Sequence, residues 1–189
     1  MSHFTALFDA CVLYPAPLRD FLMNLAIIDL FRAKWTDEIH DEWIRNILIN
    51  RPDLTKERLQ RTKDLMNSHV RDCLVIGYQD LIPSLTLPDM NDRHVLAAAI
   101  RAGANVIVTY NLKDFPVSTL EQYGIEAQHP DEFIIHLINL DLPVICEAAK
   151  RQRVSLKNPP QSVEDLLSAY ERQGLAQTVA VLRLYNGLL

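Results

Sequence analysis

Leu87–Pro116 reads LPDMNDRHVLAAAIRAGANVIVTYNLKDFP, and this stretch decides the class of the fold. It parses as loop, helix, stop, strand and loop. Asn91 or Asp92 is placed to cap the helix, Ala97–Ala99 allow close packing, and Gly103 ends it. NVIVTY, residues 105–110, is an almost unbroken apolar run rich in β-branched side chains, the mark of a strand buried on both faces. A helix feeding such a strand belongs to a parallel sheet with helices on its faces. Ligands of such sheets bind at the carboxyl ends of the strands. Asp114 lies just past this one.

Toward the N-terminus the same grammar recurs. Residues 4–8 predict a short strand that runs straight into Asp9. A helix follows, with Pro17 in its first turn and Leu18, Phe21, Leu22, Leu25, Ile28 and Leu30 at helical spacing. A second helix is expected from Thr36 to Leu48, where Thr36 caps and Asp37 and Glu38 suit the positive helix end. Its apolar stripe is Ile39, Trp43, Ile47 and Leu48. A polar helix opens at Thr55 and runs from Lys56 to about Val70. CLVIGYQDLIPSL, residues 73–85, reads as strand-like, broken by Gly77 and Pro83.

Toward the C-terminus, GIEAQ (residues 124–128) predicts a further short strand, and a helix starts at Pro130. KNPPQS, residues 157–162, is a break of proline and polar residues. Beyond it, two helices around Gly174 make a hairpin, with Ser162 and Asp165 in a capping pattern. The hairpin either packs on the main domain or is offered to a partner. The division expected is a domain over 1–140 and a helical extension over 141–189.

The 189 residues suit one domain with an appendage. An apolar content of 49% with 23% charged residues is an ordinary globular mixture. No stretch is long enough for a membrane-spanning helix, and MSHFTALFDA lacks the pattern of a signal peptide, so a cytoplasmic chain is expected. Cys11, Cys73 and Cys146 are far apart and odd in number, which supports neither a disulfide framework nor a zinc knuckle. The net charge of −5 argues against a protein that simply coats nucleic acid. It is compatible with a nucleic-acid enzyme whose metal-binding carboxylates lower the total.

Four acids stand out by position: Asp9 at a strand end, Glu42 beside Trp43, Asp92 at a helix start and Asp114 after the buried strand. Taken singly, Asp92 reads as a helix cap, Glu42 as a surface residue and Asp114 as a turn residue. Asp9 interrupts an apolar run and has no such reading. Together they converge on one edge of the sheet. Crowded carboxylates cannot all ionise without a cation, and oxygen donors alone select Mg²⁺ or Mn²⁺. Such an ion activates water and steadies charge on phosphate oxygens, the chemistry of phosphodiester hydrolysis.

LFDACVLYPAPLRD, HDEWIRNIL and the opening stretch, in this order, resemble the PIN domain, in particular the branch that includes VapC-type toxins. The tail from LKNPP resembles the helical extension of some of these toxins. The resemblance implies a three-layer α/β/α fold with a central parallel sheet. It also implies a metal-dependent ribonuclease using Mg²⁺ or Mn²⁺, with an RNA substrate, a cognate antitoxin and a homodimer. The family's acids fall on Asp9, Glu42, Asp92 and Asp114, each read as catalytic and as a metal ligand, with Asp89 as a substitute for or addition to Asp92. Thr109 and Asn111 match polar positions that orient a carboxylate or water. Arg19, Arg93 and Lys113 lie near the expected rim as contacts for RNA phosphates. The chain departs from the family at Cys11, where many members carry Asn, which puts one hydrogen bond in question. His94 reads as a helix residue and Cys11 as a packing thiol.

Three rivals have distinguishable signatures. A phosphatase that starts from a strand-end Asp wants a second Asp two residues on, where this chain has Cys11. A phosphoacceptor receiver domain leaves Glu42 without a role. A non-catalytic PIN-like module that binds RNA or protein is the remaining alternative, separated from the nuclease by metal-dependent cleavage that Asp9→Asn abolishes.

Overall fold

Thr5–Phe8 forms β1, with all four residues buried. The computed structural model to which this strand belongs describes residues 4–189. β1 lies between β2 (Arg32–Lys34) and β3 (Val106–Val108), and β4 (Glu126–Gln128) pairs with the far side of β3. All three pairings are parallel, so the order is β2-β1-β3-β4 and the carboxyl ends share one edge. This is the α/β class with a central parallel sheet that the opening stretch implied. Asp9 extends the ladder by one more bond, its N–H donating to the carbonyl of Val108 at 3.1 Å.

Two compact units emerge from the packing. The first comprises residues 4–14 and Phe31–His129, the second Pro15–Leu30 and Pro130–Leu189. The helix Pro130–Ser155 breaks at Asp141, which leaves helical geometry two residues before Pro143, beside the boundary expected at 140/141. Residues 1–3 of the expected first domain lie outside the described residues.

In the first unit, helix α1 (Ala10–Leu13) begins immediately after Asp9. Helix α3 (Asp37–Asn50) is capped by the Thr36 hydroxyl, which accepts from the Ile39 N–H, worth about 1 kcal/mol. Helix α4 (Lys56–His69) is capped in the same way by Thr55. Helix α5 (Arg93–Ala102) packs on β1 and β3 and stops at Gly103, whose φ of 60° is the left-handed cap expected of it. Helix α6 (Val117–Leu120) packs on β4. Phe8 stacks on Trp35 and meets Phe31 edge-on, all three fully or almost fully buried. Burial of such rings contributes about 2–3 kcal/mol each.

Two expectations differ from this unit. Residues 73–85 form no strand. Leu74 makes a single parallel bridge to Trp35, and Gln79–Ser84 curl into a 3₁₀ helix. Gly77, with φ of 70°, and Pro83 break the run after that one bridge. The strand at Arg32–Lys34 had no reading of its own, because its three residues carry a single small apolar side chain, Ala33.

The second unit is helical: α2 (Ala16–Ile27), α7 (Pro130–Ser155), α8 (Val163–Arg172) and α9 (Ala176–Leu184). Phe21 stacks on Tyr170 at 4.5 Å, and the Tyr170 hydroxyl donates to Gln152, whose amide donates to the Pro17 carbonyl. Ser162 and Asp165 form the reciprocal capping box foreseen for α8. Helix α9 has no cap of its own. The carboxylate of Asp131 accepts from the N–H groups of Gln177 and Thr178, both at 2.9 Å. Among the described residues no helix is long and apolar enough to cross a membrane.

Candidate active site

Asp9 is 3% exposed, at the end of a strand buried on both faces. One carboxylate oxygen accepts from the Ala10 N–H at 2.6 Å, so the residue caps α1. The other accepts from the Thr109 hydroxyl at 2.7 Å and from the Cys11 thiol at 3.1 Å. Burial raises the Asp9 pKa. The three donors oppose that rise, and Glu42 adds to it. The carboxylate is therefore fixed in position yet electrostatically unrelieved.

Thr109 and Cys11 are placed by the backbone that follows β3. The Asn111 N–H donates to the Thr109 hydroxyl at 3.0 Å, and the Tyr110 N–H donates to the Cys11 sulfur at 3.3 Å. Each side chain thus accepts from the main chain and donates to Asp9. Cys11 thus gives Asp9 a thiol donor from two residues further along the chain. Burial and the neighbouring Asp9 raise its thiol pKa, which keeps it protonated and able to donate. Asn111 contributes its backbone here, and its side chain is exposed.

Asp92 stands at the foot of α5 without capping it. Its side chain makes no cap bond, and Asp89 instead accepts from the Asn91 N–H at 2.8 Å. The local reading of Asp92 as a helix cap therefore fails, and its oxygens are left for other work. Burial pushes its pKa up to about 6, with further upward contributions from Asp9, Asp89, Asp114 and Glu42. The four sequence-selected acids, with Asp89, therefore share one electrostatic neighbourhood. They arrive there from β1, α3, α5 and the 3₁₀ turn Leu112–Asp114.

Glu42 is reached by a group the sequence had left aside. His94 Nε2 lies 3.6 Å from a Glu42 oxygen, and Nδ1 lies 3.8 Å from Glu38. Tyr78 donates its hydroxyl to that same Glu38 oxygen at 2.9 Å. Burial lowers the His94 pKa, but Glu42 and Glu38 outweigh it and hold the ring above the ordinary value. Glu38 and Glu42 are four residues apart on α3, so the shared face was available from spacing alone. Tyr78 lies in a segment with no regular pattern, and nothing local marked it.

Of the three cations expected near RNA, Arg93 and Lys113 belong to this unit. Arg93 donates to the Met90 carbonyl at 2.9 Å, and Lys113 is exposed in the turn that carries Asp114. Arg19 belongs to the second unit, where its side chain is 9% exposed and 3.9 Å from Asp20. Arg19 lies among the buried residues of α2.

Among the described residues, no three His, Cys, Asp or Glu side chains already stand together as a metal cage. The donor chemistry nevertheless fits a hard divalent ion. The acids supply oxygens only, and their mutual repulsion is what a cation would relieve. Mg²⁺ keeps several waters and takes one or two carboxylates with substrate phosphates, so it does not require a closed protein cage.

Comparison with known proteins places the chain among families. A model described as the PIN domain matches residues 5–113, and one described as the VapC50 C-terminal domain matches residues 130–184. A relative from Mycobacterium tuberculosis (strain ATCC 25618 / H37Rv), described as "Putative ribonuclease VapC50", is 52% identical over 64 residues, 34% of this chain and 37% of that protein. The matched stretch thus spans just over a third of the relative's length. No solved structure matches. Residues 130–184 are similar to the VapC50 C-terminal domain, and with the other family model covering more than half of its length, the chain belongs to the PIN domain family.

Proposed function

We propose that this chain is a metal-dependent endoribonuclease and the toxin of a type II toxin–antitoxin pair. The observation that carries the proposal is the shared field of Asp9, Glu42, Asp92 and Asp114 at the carboxyl edge of a parallel sheet. The resemblance to a protein named as a ribonuclease supports the choice of substrate.

Asp9, Glu42, Asp92 and Asp114 would hold Mg²⁺ or Mn²⁺. When bound, such an ion supplies an activated water and neutralises charge on the scissile phosphate. The chain's own residues do the positioning. Thr109, Cys11 and the Ala10 N–H fix both oxygens of Asp9, so this carboxylate is pre-organised. Burial and the neighbouring acids raise the pKa of Asp92, a repulsion that the bound cation would relieve. Arg93 and Lys113 meet flanking RNA phosphates. In the antitoxin complex, a basic side chain of the partner enters the acidic cluster and relieves the same repulsion. A homodimer is part of this reading.

The test is cleavage of total RNA by the purified full chain. Cleavage is expected with Mn²⁺ or Mg²⁺, is stopped by chelation, and falls more than about 100-fold in Asp9→Asn, beyond what loss of a supporting residue costs. Cleavage that persists in chelator, or that survives Asp9→Asn in folded protein, would overturn the proposal.

A further inference from the structure

We infer that His94 is a positioning residue for Glu42, held by Glu38 and Tyr78 behind it, so that these three side chains set how Glu42 is presented to the acidic cluster. This deepens the metal-dependent reading and rests on it.

The arrangement is a chain of four groups: Glu38 and Glu42 from α3, His94 from α5, and Tyr78 just before the 3₁₀ helix Gln79–Ser84. Tyr78 donates to Glu38 at 2.9 Å, Glu38 lies 3.8 Å from His94 Nδ1, and His94 Nε2 lies 3.6 Å from Glu42. His94 is 8% exposed, so the ring is enclosed. Its Nδ1 has no hydrogen-bond partner within normal range, although burial demands one. The chain therefore sits just beyond hydrogen-bond contact at both ring nitrogens. A half-buried Glu42, with a third of its side chain exposed, gains a defined direction from the ring next to it. Glu42 comes from a different helix than Asp92, and His94, two residues beyond Asp92, links α3 to the foot of α5. A carboxylate that must join others around an ion needs such a partner, because its free rotamers would point it into solvent.

The alternative role for His94 is packing. The two roles separate between a variant that removes the ring and one that keeps much of its volume together with a donor. Binding of Mn²⁺ alone, measured by titration calorimetry on the full chain, gives a readout that does not depend on RNA cleavage. His94→Ala is expected to weaken Mn²⁺ binding about tenfold. His94→Gln, whose amide nitrogen can take the place of Nε2, should recover to within about threefold of wild type. Tyr78→Phe, which loosens Glu38 at one remove, should weaken binding by roughly twofold to threefold. Thermal unfolding of each variant, followed by circular dichroism, checks the fold.

Wild-type Mn²⁺ affinity in folded His94→Ala would overturn the inference while leaving the metal reading intact. Equal losses in the Ala and Gln variants, tracking lost stability, would assign His94 to packing and overturn it too. A wild-type chain that binds no Mn²⁺ would overturn both. A chain that binds Mn²⁺ in the expected order of variants but cuts no RNA would uphold this inference and remove the ribonuclease reading alone.

Discussion

Two histidines stand at helix α3, one on it and one facing it, and their surroundings are opposite. His40 is fully buried, and both of its ring nitrogens are used. Nδ1 accepts from the Trp43 indole at 3.0 Å, which leaves Nε2 protonated to donate to Asn67 Oδ1 at 3.0 Å. The Trp35 indole donates to the same oxygen at 2.8 Å. His94 is nearly as buried, yet its nitrogens face two carboxylates at 3.6 and 3.8 Å without a normal hydrogen bond at Nδ1. A closed polar network of neutral partners serves stability. An open one, in which two carboxylates flank a ring that lacks a normal hydrogen bond at Nδ1, leaves charge that a protonated ring or a bound cation can relieve. The two neighbourhoods share a helix, so their difference lies in partners rather than in burial.

The largest effect expected from this contrast is on stability, at His40. Burial holds its pKa down at about 4, against about 6.5 for a free histidine. Between these values the unfolded chain binds a proton that the folded chain refuses. Stability is therefore full above pH 6.5 and is lost as pH falls toward 4, by about 3 kcal/mol over that window. His40→Ala should cost about 2–4 kcal/mol at pH 7, because the Trp43 indole loses its acceptor and a cavity opens. It should also flatten the acid limb of the stability curve. Denaturant unfolding at pH 7.5 and pH 5 measures both. Equal pH dependence in variant and wild type would break the contrast, since it would make His40 as responsive as a surface ring.

The sequence disclosed the acids more readily than their supports. Asp9 and Asp92 sit where local rules leave an acid awkward or optional, a strand mouth and a helix start, while Glu42 lies within α3 and Asp114 in the turn after β3. Thr36, Thr55, Gly103 and the Ser162–Asp165 box do what their types demand, so helix ends were legible. The supports depend on tertiary approach. The Cys11 thiol reaches Asp9 because β3 brings the Tyr110 N–H beneath it, and Tyr78 reaches Glu38 across 40 positions. The apolar residues of 73–85 suit a strand, and Gly77 and Pro83 reduce it to one bridge. Residues 15–30 pack with the C-terminal helices although they follow β1 in the chain, since chain continuity says nothing of which unit a helix packs into.

A middle-sized effect belongs to Thr109, which is fully buried like His40 but serves the open network. Thr109→Val keeps shape and removes one donor to Asp9 and the acceptor for the Asn111 N–H. Mn²⁺ affinity should fall about tenfold, and stability by about 1–2 kcal/mol. The diagnostic is the ratio: metal binding suffers more than folding here, whereas His40→Ala does the reverse. If Thr109→Val lowered stability alone, Thr109 would belong with His40, and the line drawn between the two regions would have to move past Asp9.

The smallest effect sharpens the role of Cys11. Its thiol is a weak donor, so Cys11→Ser, which substitutes a stronger one on a shorter bond, should change Mn²⁺ affinity by less than about threefold. Cys11→Val, with no donor, should lose more than the serine variant does. Because burial and Asp9 hold the thiol protonated, wild-type Cys11 should also alkylate with iodoacetamide far more slowly at pH 8 than a free cysteine, followed by mass spectrometry. Rapid alkylation would mean a thiolate in contact with a carboxylate. That pairing could not donate to Asp9, and the orientation ascribed to Cys11 would be lost. Slow alkylation with a tolerated serine leaves a hydrogen-bonding side chain whose chemistry is interchangeable and whose position is not.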